Sequence, residues 1–225
     1  MSAGTVRLLF LGKAGDAWAA RAAAYLRQHA PHTEAHLGAR GDPFPAIERQ
    51  RHDYLISYLS PWIVPAALLQ RTGLAAINFH PGPPEYPGIG CTNFAIYEQA
   101  AVYGVTCHHM APAVDTGPII RVVRFPIYPT ESVLSLTHRA YAHLAGLFYE
   151  TADAILAGGS LPASPERWTR RPFRRAELNA LCWLTPDMDR AEIERRIRAT
   201  TFPGYPAASM HASAARTVSV TREER

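Results

Sequence analysis

Short, nearly continuous apolar runs alternate with stretches of helical period along most of the chain. Thr5–Leu11 (TVRLLFL) is too short for a helix and closes on Gly12-Lys13-Ala14-Gly15-Asp16, so it reads as a buried first strand and a tight turn. Ala17–Gln28 sets Trp18, Ala22, Tyr25 and Leu26 near one side, the pattern of an amphipathic helix. A weaker strand is predicted over Thr33–Leu37 and a strong one over Asp53–Leu59. Ser60 as cap and Pro61 at the first helical position predict a helix opening there, running through Ala66–Arg71 and stopping at Gly73. Ala75–Phe79 is a further strand, ended by the ladder-breaking Pro81-Gly82-Pro83-Pro84. Next come a helix over Thr92–Ala101 capped by Thr92, a strand over Val105–Met110, a loop over Pro112–Gly117, and a strand over Ile119–Ile127 read as an antiparallel hairpin partner. Thr130-Glu131-Ser132 begins a long helix, Val133–Gly158, with Leu136, Ala140, Leu144, Leu147 and Ile155 at helical spacing. The pair Thr130 and Val133 makes a poor capping box.

This alternation predicts an α/β fold: a mostly parallel, Rossmann-like sheet flanked by helices over residues 1–158. The G-x-G-x-x-G fingerprint is absent, so no dinucleotide site is expected. Residues 159–225 read as a basic linker followed by a short C-terminal extension. They contain a Pro- and Arg-rich connection over Ser160–Arg175, a helix over Asp189–Ala199, a strand over Thr217–Thr221 and a frayed end.

Composition narrows the class. Hydrophobic residues make up 48% of 225, too many for a disordered chain, and no apolar run is long enough for a membrane helix. Met1–Thr5 lacks the regions of a signal peptide, and three scattered cysteines suggest neither a disulfide framework nor a zinc knuckle; a reducing cytoplasm is the expectation. The net charge of +4 is mild. Much of the excess sits at Arg167, Arg170, Arg171, Arg174 and Arg175, then Arg190, Arg195, Arg196 and Arg198. This is either a solvated surface or one that meets a phosphate-bearing partner. No nucleic-acid module is recognisable, and nucleic acid is not the expected partner.

The candidate chemistry lies between Ala75 and Ile120. Period-2 alternation puts Asn78 and His80 on one side of a strand, at its carboxyl end, where open α/β sheets place their ligand crevice. Asp115 follows in Val114-Asp115-Thr116-Gly117-Pro118. An amide, an imidazole and a carboxylate in one crevice suit acyl transfer: the amide stabilises an oxyanion, the imidazole moves protons and the carboxylate orients it. Taken alone, Asn-x-His and Asp-Thr-Gly are ordinary turn signals; their order on either side of a helix-sized segment gives them weight. His108 and His109 are neighbours on a strand and face opposite ways, so they do not share a metal, and no metal is expected.

Together with Leu59-Ser60-Pro61 and Gly104-Val105-Thr106, these motifs resemble the folate-dependent formyltransferase family over roughly residues 53 to 125. The resemblance implies formyl transfer from 10-formyltetrahydrofolate to a primary amine, with Asn78, His80 and Asp115 as the catalytic group. His80 would act either as base or as charged oxyanion stabiliser, held by Asp115. It implies a donor pocket lined by Ser57, Tyr58, Leu59, Val64, His108, Pro112, Ala113 and Val114, and an amine site near Gly12, Lys13, Pro81 and Gly82. The Pro-Gly-Pro-Pro loop and the Lys13–Asp16 turn depart from the family pattern and turn the expected acceptor away from glycinamide ribonucleotide. Thr200–Ala208 resembles the start of the C-terminal module of methionyl-tRNA and sugar formyltransferases, with too little chain after it for a complete barrel. The expected acceptor is a small-molecule amine, an amino sugar on a nucleotide first and a modified amino acid next. A hydrolase of the same donor and a non-catalytic folate binder are the rivals. Oligomeric state stays open, a homodimer included.

Overall fold

A computed structural model describes residues 6–47 and 50–210. Six strands form the main sheet: β1 (Leu8–Lys13), β2 (Glu34–Gly38), β3 (Tyr54–Tyr58), β4 (Ala75–His80), β5 (Val102–His109) and β6 (Ile119–Pro126), in the order β2-β1-β3-β4-β5-β6. The first four run parallel; β5 is antiparallel to β4, and β6 to β5. This is the expected mostly parallel α/β sheet, with the Ile119 strand closing the predicted hairpin.

Both faces are covered, which explains why β1 and β3 read as unbroken apolar runs. On one face Leu8, Phe10, Ile56, Tyr58, Ile77 and Phe79 meet α1 (Ala17–His29), α3 (Cys91–Tyr97) and α4 (Val133–Leu156) in the larger core. Phe148 of α4 sits edge-on to Phe10, Tyr58 and Phe79. Leu144, Leu147 and Phe148 are buried there, each worth about 1.5–3 kcal/mol on transfer from water. On the other face Leu9, Leu11 and Leu55 meet Val64 and Leu68 of the smaller α2 layer (Ala66–Arg71), with Trp62 packed against them. Trp62 lies so close to β2 that a Cβ on Gly38 would fall 2.0 Å from its ring.

Several expected boundaries shift. Ser60 does not cap α2: Pro65 is its N-cap, because the residue before a proline is driven to extended backbone and the chain cannot turn helical until Pro65 is passed. Ser60 Oγ instead accepts from the Trp62 amide at 3.2 Å. Thr92 is not a cap either; α3 starts after Gly90, whose φ of 76° suits glycine, and ends at Tyr97 rather than Ala101. Ser132 and Ser135 cap α4 reciprocally, in place of Thr130. Beyond α4, the expected linker also yields α5 (Arg175–Leu181), followed by α6 (Arg190–Thr200) capped by Asp189, and a two-stranded pair β7 (Trp183–Leu184) and β8 (Ser209–Met210). The strand expected over Thr217–Thr221 lies outside the described residues. Among those described, no helix is long and apolar enough to cross a membrane.

Candidate functional site

Three adjacent strands place a row of polar side chains on the α2 face of the sheet. Ser57 of β3 pairs with Asn78 of β4, and Asn78 opposes His108 of β5. Two residues further, His80 occupies the carboxyl end of β4 and is buried. The chain leaves β5 at His109, is tied back by the Met110 amide donating to the Ala76 carbonyl at 2.8 Å, and returns with Asp115 buried against the row.

Asp115 is the centre of the constellation. Its Oδ2 stands 3.3 Å from His80 Nδ1 and accepts the Gly88 amide at 2.8 Å. Its Oδ1 stands 3.3 Å from His108 Nε2 and 3.5 Å from Asn78 Nδ2. Burial by itself would raise its pKa; the charge of His80, the hydrogen bond and charge of His108 and the Gly88 N–H together outweigh burial and bring it down to about 2. Asp115 also holds φ at 48°, a left-handed backbone uncommon outside glycine. Leu59, just past β3, does the same at 52°.

The two imidazoles differ in what they face. His80 Nε2 donates to the Tyr86 carbonyl at 2.9 Å while Nδ1 faces Asp115, so both nitrogens meet acceptors, an arrangement the charged ring satisfies at both ends. His108 Nδ1 donates to the His109 carbonyl at 2.8 Å. Its Nε2 meets two opposed demands: it accepts from Asn78 Nδ2 at 3.1 Å when bare, and donates to Asp115 when protonated. The Asn78 amide thus stands between His108 Nε2 and Asp115 Oδ1.

The Pro-rich loop is pinned from beneath. Tyr103 Oη donates to the Pro81 carbonyl at 3.0 Å and Thr106 Oγ1 to the Gly82 carbonyl at 2.8 Å. On the α4 side of this loop lies a cavity of about 640 Å³, lined among others by Lys13, Pro81, Asn93, Thr137, Tyr141 and Arg175. None of Asn78, His80 and Asp115 lines it; the cavity adjoins the triad through Pro81.

The expected residues sort accordingly. Asn78, His80, His108 and Asp115 converge, with Ser57 beside them. Lys13 and Pro81 reach the cavity; Gly12 and Gly82, expected at the amine site, are buried and do not. Gly82 makes room for the histidine instead, since a Cβ there would fall 2.6 Å from His80 Nε2. Tyr58 is sealed in the aromatic core and Val64 in the smaller one, which leaves only their backbone for a ligand. Pro112, Ala113 and Val114 are exposed on the loop ahead of Asp115. Of the basic stretch, Arg170 chelates Glu98 and Arg171 chelates Glu177, while Arg175 lines the cavity with a buried Nε that has no hydrogen-bond partner. Two of the five arginines of the stretch are therefore already held by carboxylates. Among the described residues no cluster suits a metal ion.

Sequence reasoning missed Trp168, whose ring lies 5.0 Å from that of His108 and 5.9 Å from that of His80. Its only signal was an aromatic, one of two with Phe173, in a Pro- and Arg-rich segment.

Comparison with known proteins bears on this geometry. A family model described as formyl transferase matches residues 46–149. The methionyl-tRNA formyltransferase of Geobacillus thermodenitrificans is 31% identical over 137 residues, 60% of this chain and 43% of that protein. That of Paracidovorax citrulli is 30% identical over 174 residues, 75% of this chain and 51% of that protein. The chain thus spans about half the length of these relatives. In structure it is similar to a Mycobacterium tuberculosis protein described as a candidate sugar N-formyltransferase, with a TM-score of 0.74 at 24% identity over 91% of both chains. A 4-N formyltransferase from Francisella tularensis gives 0.71 at 17% identity, over 92% of this chain and 93% of that one. An N-formyltransferase from Helicobacter canadensis, solved with folinic acid and dTDP-3-aminofucose, gives 0.67 at 17% identity, over 86% of this chain and 80% of that one. At these identities the structural likeness speaks for the fold.

Proposed function

We propose that this protein, whose residues 46–149 match the formyl transferase family model, transfers a formyl group from 10-formyltetrahydrofolate to the primary amine of a nucleotide-linked amino sugar. The observation that carries formyl transfer is the convergence of Asn78, His80 and His108 on one ionised carboxylate at a strand terminus. The bound donor supplies the formyl carbon and, on its departure, takes up a proton at the nitrogen that carried it.

The chain's own residues do the rest. The Asn78 amide, at the carboxyl end of β4, donates to the negative charge that develops on the formyl oxygen. His80 is held between Asp115 and the Tyr86 carbonyl, so both ring nitrogens face acceptors and neither faces an open position. That geometry favours a stabiliser of the developing charge over a base that takes the amine's proton. On the donor side, the backbone of Ser57, Tyr58, Leu59 and Val64 and the exposed Pro112, Ala113 and Val114 offer the hydrogen-bonding groups and apolar rim that a pterin fits.

The acceptor reading rests on the cavity beyond Pro81. Lys13 and Arg175 are two cations on its wall that no described carboxylate pairs, whereas Arg170 and Arg171 are spent on glutamates. Two free cations and an apolar wall of Ile89, Leu178 and Phe202 suit an anionic group attached to a ring system, as in a nucleotide. The structural neighbour crystallised with dTDP-3-aminofucose adds support. The test is a transfer assay against nucleotide amino sugars, ornithine-like amino acids, glycinamide ribonucleotide and charged initiator tRNA. Turnover is expected with a sugar, and Asn78→Ala and His80→Ala should each lower it by ~100-fold or more with donor affinity retained. Activity confined to tRNA or glycinamide ribonucleotide would overturn the acceptor; near-normal turnover in both variants would overturn the triad.

A further inference from the structure

The segment that follows α4 crosses the site as a strap. The Ser164 amide donates to the Ile119 carbonyl at 3.0 Å, Thr169 to Pro84 at 3.2 Å and Phe173 to Pro87 at 2.9 Å, while Ile89 returns a bond to the Phe173 carbonyl at 3.1 Å. Phe173 stacks on Phe94 with ring centres 3.8 Å apart. Arg170 lies over Phe173 and holds Glu98 with two hydrogen bonds. These anchors fix residues 164–173 at one end on β6 and at the other against the Pro-rich loop.

Trp168 sits in the middle of the strap. Its ring meets His108 edge-to-face at 5.0 Å and 89°, and His80 at 5.9 Å and 68°. Its Nε1–H donates to the Gly117 carbonyl at 2.8 Å. Gly117 is itself locked, since a Cβ there would fall 1.9 Å from the His109 carbonyl oxygen. One side chain thus touches both imidazoles and pins the loop that presents Asp115 to them. His80 and His108 are 4% and 2% exposed although they stand at the end of the sheet.

We infer that Trp168 is a positioning residue: its indole fixes the Asp115 loop and keeps water from the imidazoles, so that the formyl group passes to an amine rather than to water. The inference rests on the formyl-transfer reading. In the reaction it suppresses, a water oxygen bonds to the formyl carbon, the carbon–nitrogen bond of the donor breaks, and formate, a proton and tetrahydrofolate result. No other reactant is needed, so any site that activates the donor is exposed to this loss unless water is excluded.

The test uses the full chain with 10-formyltetrahydrofolate and the preferred nucleotide amino sugar, measuring formate and formylated product together. In Trp168→Ala the formate-to-product ratio should rise by ~10-fold or more and kcat for transfer should fall by ~10- to 100-fold, the scale of a misplaced reacting group. Affinity for 5-formyltetrahydrofolate should stay within about twofold, because the indole meets the imidazoles rather than the proposed donor rim. Trp168→Phe keeps a ring over the histidines and loses the bond to Gly117; its ratio should stay near wild type while kcat falls by roughly threefold. Should the alanine variant not fold, Trp168→Leu carries the same ratio test. An unchanged ratio in the alanine or leucine variant, with wild type active, overturns the role of Trp168 and leaves the proposed function standing. A wild-type chain that binds no folate and produces neither formate nor formamide overturns both.

Discussion

Replacing Asp115 with asparagine isolates the charge on which the site converges. Asparagine has nearly the shape of a protonated aspartate and tolerates the left-handed backbone that Asp115 adopts at φ 48°, so the substitution adds no backbone strain. What is lost is the ionised form. Burial opposes that form, and His80, His108 and the Gly88 amide overcome it, bringing the pKa from the ordinary 3.8 down to about 2. A depression of this size is worth about 2 kcal/mol of folding stability. Because the folded-state pKa is the lower one, the contribution is complete above about pH 4, the unfolded value, and disappears as pH falls toward about 2. At about pH 6 the wild type should therefore melt roughly 4–8 °C above Asp115→Asn, given the 2–4 °C per kcal/mol usual for chains of this length. The two melting temperatures should converge as the solution is acidified. Scanning calorimetry or fluorescence melts on both proteins at several pH values read this directly. Parallel curves between about pH 6 and pH 3 would refute the reasoning, because the carboxylate would then gain nothing from its partners. The same variant should lose ~100-fold or more in formyl transfer, since neither imidazole retains its charged partner.

Two further outcomes follow from the cavity and the core. Lys13→Ala and Arg175→Ala should each raise KM for an anionic acceptor by ~10-fold, leaving donor affinity unchanged; steady-state kinetics with the acceptor varied decides, and an unchanged KM in both variants removes the cavity from the reading. Gly38→Ala should destabilise by about 1–3 kcal/mol, because the new methyl meets the Trp62 ring and the α2 layer must move to admit it; a denaturant midpoint equal to wild type contradicts that packing.

Much of the fold was legible because its strands are buried on both faces and its long helix carries an unbroken apolar stripe. Thr5–Leu11 and Asp53–Leu59 were nearly correct as strands for that reason. Errors cluster where proline and glycine compete with capping residues: Ser60 and Thr92 have the chemistry of caps, but Pro65 and Gly90 have the backbone that starts the helix. The approach of Asn78 and His80 was readable from period-2 alternation, since two residues on one strand need no tertiary knowledge. Their meeting with Asp115 was supplied by resemblance, because the loop returning from β5 is irregular. Trp168, the Tyr86 carbonyl and the Gly88 amide were not readable. Two of them act through backbone atoms that any residue possesses, and the third lies in a segment whose composition promises only a connector. The arginines misled in a different way: sequence shows the cations, and only the structure shows that Glu98 and Glu177 already hold two of them.

The strap has a bearing on the order in which the protein comes into being. Synthesis delivers chain at about 5–20 residues per second, amino terminus first. All six strands of the main sheet are complete by Pro126 and the long helix by Leu156, so Asn78, His80 and Asp115 emerge well before Trp168 and its anchor Phe173. At that rate the growing chain carries these side chains for several seconds without the indole proposed to shield them. A ribosome-stalled chain ending before Trp168 would reveal this as formate released from the donor with no amine present.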